Sequence, residues 1–184
     1  MDKGSESYRR YLDGDDGGII EIVRDYKDGL ILYLRGFVTD IHLAEELAEE
    51  AFVKIVTKKP RFKENSSFKT WLYAIARNVA LDYLRKNKRT ETVSIENSSP
   101  IADEIDLERA FLKEEQKIAL HQTLSKLRPI YRQAIWLTYF EGLSNKETAK
   151  ILGKSLHNTE MLICRARQSL KTELEKEGFV YEII

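Results

Sequence analysis

Apolar residues recur at helical spacing along most of this chain, and strict strand-like alternation is scarce. Between Ile19 and Val38 the set Ile19, Ile22, Val23, Tyr26, Leu30, Tyr33, Leu34 and Phe37 marks an amphipathic helix. Asp15-Asp16-Gly17-Gly18 offers a turn into it, with Asp15 or Asp16 near the cap. Thr39-Asp40 interrupts the pattern and can cap a second helix from Ala44 to Val56. Its predicted inward stripe is Ala44, Leu47, Ala48, Ala51, Phe52, Ile55 and Val56. Pro60 ends that helix, since its ring removes a donor and clashes with the turn before it. Asn65, Ser66 or Ser67 caps a third helix running to about Lys86, with Trp71, Leu72, Ile75, Val79 and Tyr83 facing inward.

Positions 90–106 break the periodicity. Asn97-Ser98-Ser99-Pro100 punctuates an acidic stretch with few bulky apolar residues, the composition of a flexible linker. Helical spacing resumes at Leu107, Phe111, Leu112, Ile118, Leu120, Leu124 and Leu127. Pro129 suits the first turn of the next helix, which carries Ile130, Ala134, Ile135, Leu137 and Phe140 and stops at Gly142. Ser144-Asn145-Lys146-Glu147 has the form of a capping box. It opens a short helix, Lys146 to Leu152, that ends at Gly153, and Ser155 caps a longer helix through Arg165. Helix, Gly-containing turn and helix match the DNA-binding helix-turn-helix, though a plain αα-hairpin satisfies the same spacing. The expected fold is therefore all-α. It comprises two small helical domains, 1–89 and 107–184, joined by the linker 90–106.

Composition narrows the function classes. Charged residues make up 33% and net charge is zero, which taken alone argues against a DNA binder. The distribution reverses that impression, because residues 1–53 carry −7, 54–89 carry +9, 90–116 carry −6 and 117–184 carry +4. Alternating blocks suit separate surfaces for separate partners, although each block alone also fits a solvated face. The only cysteine is Cys164, so an internal disulfide is impossible and a reducing cytoplasm is expected. His42, His121 and His157 are scattered, which leaves no metal-ligand cluster. No nucleophile or paired-carboxylate constellation supports catalysis, so no enzyme, cofactor or small-molecule substrate is expected. No apolar run approaches the ~20 residues of a membrane helix, and the start lacks a signal-peptide core.

Three patches carry candidate chemistry. The helix from Phe68 mixes aromatics, cations and a lone Asn78, and Trp71, Asn78 and Lys86 share one side of it. Such a mixture can stack on unpaired bases, hold phosphates and hydrogen-bond one base edge. Core packing for Trp71 and Tyr83, and a surface amide for Asn78, are the plain alternatives. The helix before it bears Glu45, Glu46, Glu49 and Glu50. Its like-charge i,i+4 pairs cost roughly 0.2–0.5 kcal/mol each in isolation. Only Glu50 has a cation four residues on, Lys54, so the stripe makes sense against a basic partner. Finally, His157, Asn158, Glu160 and Met161 lie early on the last helix, where side chains reach base edges, and Arg165 and Arg167 suit phosphates or guanine.

At this point a family resemblance emerges. Ala44-Glu45-Glu46-Leu47 through Glu50-Ala51-Phe52, then Phe68-Lys69-Thr70-Trp71-Leu72-Tyr73-Ala74-Ile75-Ala76-Arg77-Asn78, then Asp82-Tyr83-Leu84-Arg85, resembles region 2 of bacterial extracytoplasmic-function sigma factors. Leu127-Arg128-Pro129, Phe140-Glu141-Gly142-Leu143-Ser144, Glu147-Thr148-Ala149 and Arg165-Ala166-Arg167 resemble region 4 of the same family. The likeness runs from about Asp15 to Leu174, with both halves in the family's order. It implies a specificity subunit of RNA polymerase whose partners are core polymerase, at the β′ clamp and β flap, and promoter DNA. Such a protein often has an anti-sigma partner as well. On this resemblance Asp40, Glu45, Glu46, Glu49, Glu50 and Phe52 would bind core polymerase. Arg61, Lys63, Ser67, Phe68, Lys69, Trp71, Tyr73, Arg77, Asn78, Arg85 and Lys86 would take the single-stranded −10 element, with Asn78 at the pocket for a flipped base. Lys154, Ser155, His157, Asn158, Glu160, Met161, Arg165 and Arg167 would read the −35 duplex.

This chain departs from the pattern at two places. Glu49 stands where the family often has Gln, and Glu160 and Leu162 stand where many members have Lys or Arg. Readout at −35 then differs or leans on Lys154, Arg165, Arg167 and Lys171. Neutral net charge also predicts feeble DNA binding by the free protein, since affinity scales with phosphates neutralised. Two other classes remain open from the residues alone: a stand-alone helix-turn-helix regulator and an RNA-binding accessory protein.

Overall fold

The computed structural model describes residues 2–90 and 123–176. Among these, every regular element is helical. Four helices form the first half: α1 (Lys3–Leu12), α2 (Gly17–Leu34), α3 (Ile41–Lys58) and α4 (Phe68–Thr90). The second half holds α5 (Pro129–Ile135), continued by a π-helical turn (Trp136–Phe140), then α6 (Asn145–Leu152) and α7 (Leu156–Lys176). The all-α expectation holds. The linker 90–106, the apolar positions 107–120 and the C-terminal tail lie, but for Thr90 at the end of α4, outside the described residues.

Apart from α5, which starts on Pro129 after Arg128 with no side-chain cap, the helices start where the sequence supplies an acceptor. Asp40 Oδ1 accepts the backbone N–H of His42 and Leu43 and opens α3. Ser67 Oγ accepts the Thr70 N–H at 3.2 Å and opens α4. At α2 Asp15 acts in place of Asp16, accepting the Gly17 N–H at 2.9 Å, while Asp16 makes no side-chain cap. Helix α3 runs to Lys58 and stops in left-handed Lys59, one residue before Pro60.

Helix α1 is a finding that periodicity did not predict. Its polar serines and arginines hide two aromatics, Tyr8 and Tyr11, which are buried. Asp2 caps it through the Ser5 N–H, and the other oxygen of the same carboxylate accepts the Phe68 N–H at the start of α4. Tyr8 donates to the Pro60 carbonyl and Tyr11 to the Val56 carbonyl, satisfying backbone groups near the end of α3. Gly18 is more than part of an entry turn. A Cβ there would lie 2.1 Å from the Ser7 carbonyl oxygen, so α1 and α2 cross only because that side chain is missing.

The first half packs α1 on α2, and α2 and α3 on α4. Ala44, Leu47, Ala48, Ala51 and Ile55 of α3 meet Leu72, Ala76, Val79 and Ala80 of α4 in the core. Each fully buried Leu or Ile contributes about 1.5–3 kcal/mol relative to exposure. In the second half α5 and α6 pack on α7. A small cluster of Leu124, Leu127, Ile135 and Ala166 anchors α5 to α7. The larger core does not stop at the boundary between halves. Ala134, Trp136, Leu137, Leu143, Ile151, Leu152 and Ile163 belong to the same contiguous cluster as the α2–α4 residues. Helix α6 lies along α4 and forms most of that seam.

Two packing expectations are corrected. Val56, assigned to the α3 core stripe, is exposed because the stripe rotates off the core at the last turn. Phe140, assigned to the core of the fifth helix, is exposed and stacks on Trp136 at 4.5 Å, since the π-turn rotates it outward. Val38 is buried although α2 ends at Leu34.

Candidate nucleic-acid interface and acidic face

The acidic face of α3 is built as its spacing implies. Glu46, Glu49 and Glu50 are exposed and Glu45 is half-buried. Lys54 Nζ reaches Glu50 at 3.1 Å, and His42 approaches Glu45 at 3.5 Å. Phe52 does not belong to this face: it is buried in the α3 core stripe, so it supports the face from behind. Asp40 is exposed but committed to the cap. The structure adds two residues that sequence reasoning missed. Val53 and Val56 are exposed on the glutamate side, seven residues after Glu46 and Glu49 respectively. The signal was present as i+7 spacing, but Val56 had also fitted the apolar stripe. The face is therefore carboxylates flanking bare methyl groups, a mixed surface suited to a protein partner.

Helix α4 sorts the single-strand candidates into three groups. Arg61, Lys63, Asn78, Arg85 and Lys86 are exposed. Trp71 is half-buried within an aromatic cluster, its ring 5.2 Å from Tyr8, 5.3 Å from Phe62 and 5.4 Å from Phe68. One side of the indole is held while the remainder reaches the surface. Arg85 pairs with Asp82 one turn back. These residues form an open cationic face with one amide and one anchored aromatic.

Two candidates are corrected outright. Phe68 and Tyr73 are buried, at 0% and 1% exposure, and cannot contact a strand in this conformation. Both lie three or four residues from Leu72 or Ala76, on the side of α4 that meets the core. Burial, then the nearby Glu141 carboxylate, pushes the Tyr73 hydroxyl well above its ordinary pKa, so it stays protonated.

Ser67, Lys69 and Arg77 form the third group, facing the second half. Ser67 Oγ and Thr70 Oγ1 both donate to Glu147 Oε1, at 2.9 and 3.1 Å. Lys69 Nζ pairs with Glu141 Oε2 at 2.6 Å and with its carbonyl at 2.9 Å. Lys150 Nζ reaches the Asn65 carbonyl at 2.7 Å. Arg77 points toward Gly153. Glu147 therefore serves two structures, since its Oε2 completes the capping box with Ser144. Burial raises its pKa, but donors from Ser144, Ser67 and Thr70 outweigh that and hold it below the ordinary carboxylate range.

The helix-turn-helix geometry follows the residues that predicted it. Gly153 takes left-handed φ of 63°, Ala149 is buried between the helices, and Ser155 Oγ accepts the Asn158 N–H at 3.2 Å. Thr159, Ile163 and Ala166 face inward. Lys154, Ser155, His157, Asn158, Glu160, Met161, Arg165 and Arg167 are all exposed, so all eight duplex-reading candidates lie on the free side of α7 and its approach. Leu156 is a ninth, apolar surface residue there, missed because it fitted the core period. Cys164 is exposed too and does not pack. Among the described residues no cluster of metal-ligating side chains exists, and no helix is long and apolar enough to cross a membrane.

Comparison with known proteins decides between the open classes. The sigma-70 region 2 model matches residues 22–90, and the sigma-70 region 4 model matches residues 117–170. The chain is 32% identical to the ECF RNA polymerase sigma factor SigW of Bacillus subtilis, over 88% of this chain and 91% of that protein.

The chain belongs to the extracytoplasmic-function sigma factors.

This sigma factor is also 29% identical to the RNA polymerase sigma-H factor of Pseudomonas aeruginosa, over 95% of both chains. The solved structure of CnrH in complex with the cytosolic domain of CnrY shares its fold, with a TM-score of 0.65 and 24% identity over 95% of this chain and 99% of that one. Both halves match in order, which sets aside the stand-alone regulator. In this sigma factor region 2 corresponds to α2–α4, and region 4 includes α5–α7.

Proposed function

We infer that this sigma factor attaches to core RNA polymerase through α3 and directs initiation by holding the −10 strand on α4 and the −35 duplex on α7. The polymerase surface consists of Glu45, Glu46, Glu49 and Glu50 with Val53 and Val56. Carboxylates select a basic-rimmed partner, and the valines supply apolar contact area. On α4 Asn78 reads a base edge, Trp71 stacks, and Lys69, Arg77, Arg85 and Lys86 neutralise phosphates together with Arg61 and Lys63 of the segment before it. A flipped base costs a few kcal/mol of unstacking. Stacking on an aromatic returns about 1–3 kcal/mol per base. On α7, His157, Asn158, Glu160 and Met161 face base edges, while Lys154, Arg165 and Arg167 position the helix on phosphates.

The working division is 1–89 for region 2, 90–106 for an acidic linker and 107–184 for region 4. No catalytic step, metal, cofactor or small-molecule substrate enters this scheme, and its setting is the cytoplasm. The solved complex of the sigma factor RpoE with the anti-sigma factor NepR from Bartonella quintana, similar in fold, supports an anti-sigma protein as a further partner.

The observation that carries the reading is the adjacency of two exposed faces on packed helices: acidic on α3, cationic with Asn78 on α4. Co-purification with core polymerase, followed by run-off transcription on a promoter library, tests it. Stable association and a defined set of transcripts are expected. A protein that neither binds core nor selects promoters ends the proposal.

A further inference from the structure

Where the end of α2 meets α5 there is a cleft of about 40 Å³, lined by none of the residues assigned to polymerase or DNA. We propose that it binds a phosphate dianion, free or at the end of a small monoester, clamped between Arg35 and Arg132.

The cleft follows from a close approach. Gly36, just past α2, carries no side chain, and a Cβ there would lie 2.9 Å from Gln133 Cγ. Gln133 Nε2 donates to the Gly36 carbonyl at 3.4 Å. That contact sets the residue before each partner, Arg35 and Arg132, beside one cavity. Arg35 is exposed at its mouth, and Arg132 is half-buried.

The positive charge there is uncompensated. Among the described residues no carboxylate lines the cleft, and no ion pair engages either guanidinium. Arg132 Nε is buried without a hydrogen-bond partner among them. Burial, then the facing charge of Arg35, lowers the Arg132 pKa. A guanidinium does not shed its proton in a protein, so a bound anion is what relieves the strain.

Size and charge choose the anion. One carboxylate brings a single negative charge and one pair of oxygens, which satisfies one guanidinium fork. A phosphate monoester carries about −1.5 to −2 at neutral pH and three terminal oxygens, a match for two forks and two positive charges. The cleft has room for about three waters, or for one tetrahedral group in their place. Leu32, Leu124 and Trp136 form apolar walls, and a low local dielectric strengthens the pairing. Because the site takes one arginine from each half, bound phosphate ties the end of α2 to α5.

The test titrates inorganic phosphate into the full chain at about pH 7.5, where the dianion predominates. Sodium chloride of equal ionic strength is the reference, since exposed charges respond to salt alone. The melting midpoint should rise by about 3–6 °C at roughly ten times the dissociation constant, and the Arg132 Nε–H resonance should move in step. Arg35→Gln and Arg132→Gln, each first shown by circular dichroism to keep its helix content, should bind phosphate at least about ten-fold more weakly. Arg165→Gln, on the free side of α7, should keep the full response. Methyl phosphate, run beside inorganic phosphate, shows whether the mouth admits an ester, and binding of either supports the site. Dimethyl phosphate, with a single charge, should give no rise. No rise with either dianion beyond that of chloride, an equal rise with dimethyl phosphate, or a full rise in either folded Arg35 or Arg132 variant overturns the site. None of these readouts involves polymerase or promoter, so the result is independent of the sigma reading.

Discussion

At the scale of single residues, the decisive distinction is between side chains that hold a surface up and those that meet a partner. Asn78 is exposed on α4 and Trp71 is half-buried against the rings of Tyr8, Phe62 and Phe68, so the two have different tolerances. Asn78→Ala would remove the proposed base contact, worth ~1–3 kcal/mol, and leave the core untouched. Promoter opening, followed by permanganate reactivity of unpaired thymines, should fall by at least about ten-fold, with core binding unchanged. Ser144→Ala breaks the capping box while its partner Glu147 keeps its bonds to Ser67 and Thr70. A loss of about 1 kcal/mol in chemical denaturation is expected. Sequence alone identified the Ser144 cap correctly, because caps have local signatures. It misplaced Phe52, Phe68 and Tyr73, because an aromatic near a motif looks the same whether it faces a ligand or a core.

Among the helices, those with strong periodicity were legible and those without it were not. Helices α2, α3, α6 and α7 start within a few residues of where caps and apolar spacing place them. Helix α1 escaped notice since only two of its ten residues are buried aromatics, held by contacts to distant Pro60 and Val56 that no local window contains. The π-turn after α5, which brings Trp136 and Phe140 into a stack, was equally invisible. The acidic side of α3 yields its own prediction. Glu46→Lys with Glu50→Lys reverses charge on an exposed face; it exchanges one like-charge i,i+4 pair for another and removes the Glu50–Lys54 ion pair. Thermal stability should fall only slightly while affinity for core polymerase falls at least about ten-fold in a binding titration. Equal loss of both would return the glutamates to a purely structural role.

The relation between the halves is a property of the whole molecule, and it was the least legible part of all. No spacing rule connects Lys69 to Glu141 or Thr70 to Glu147, since these pairs are separated by more than seventy residues and join only on folding. The same carboxylate sets a pH dependence. Glu147 has a lowered pKa in the folded chain, so its contribution is complete above the ordinary carboxylate range and is lost as pH falls through the lowered folded value. Melting midpoints from about pH 7 to about pH 3 should therefore decline less steeply in Glu147→Gln than in the unmodified protein. Asp2 ties the chain together in another way. Its two oxygens receive Ser5 in α1 and Phe68 in α4, so one short side chain pins together helix starts that are remote in sequence. Losing that carboxylate would unfasten both ends in one stroke: α1 would peel away like a strap, and deuterium would enter the amides of both helix starts in step.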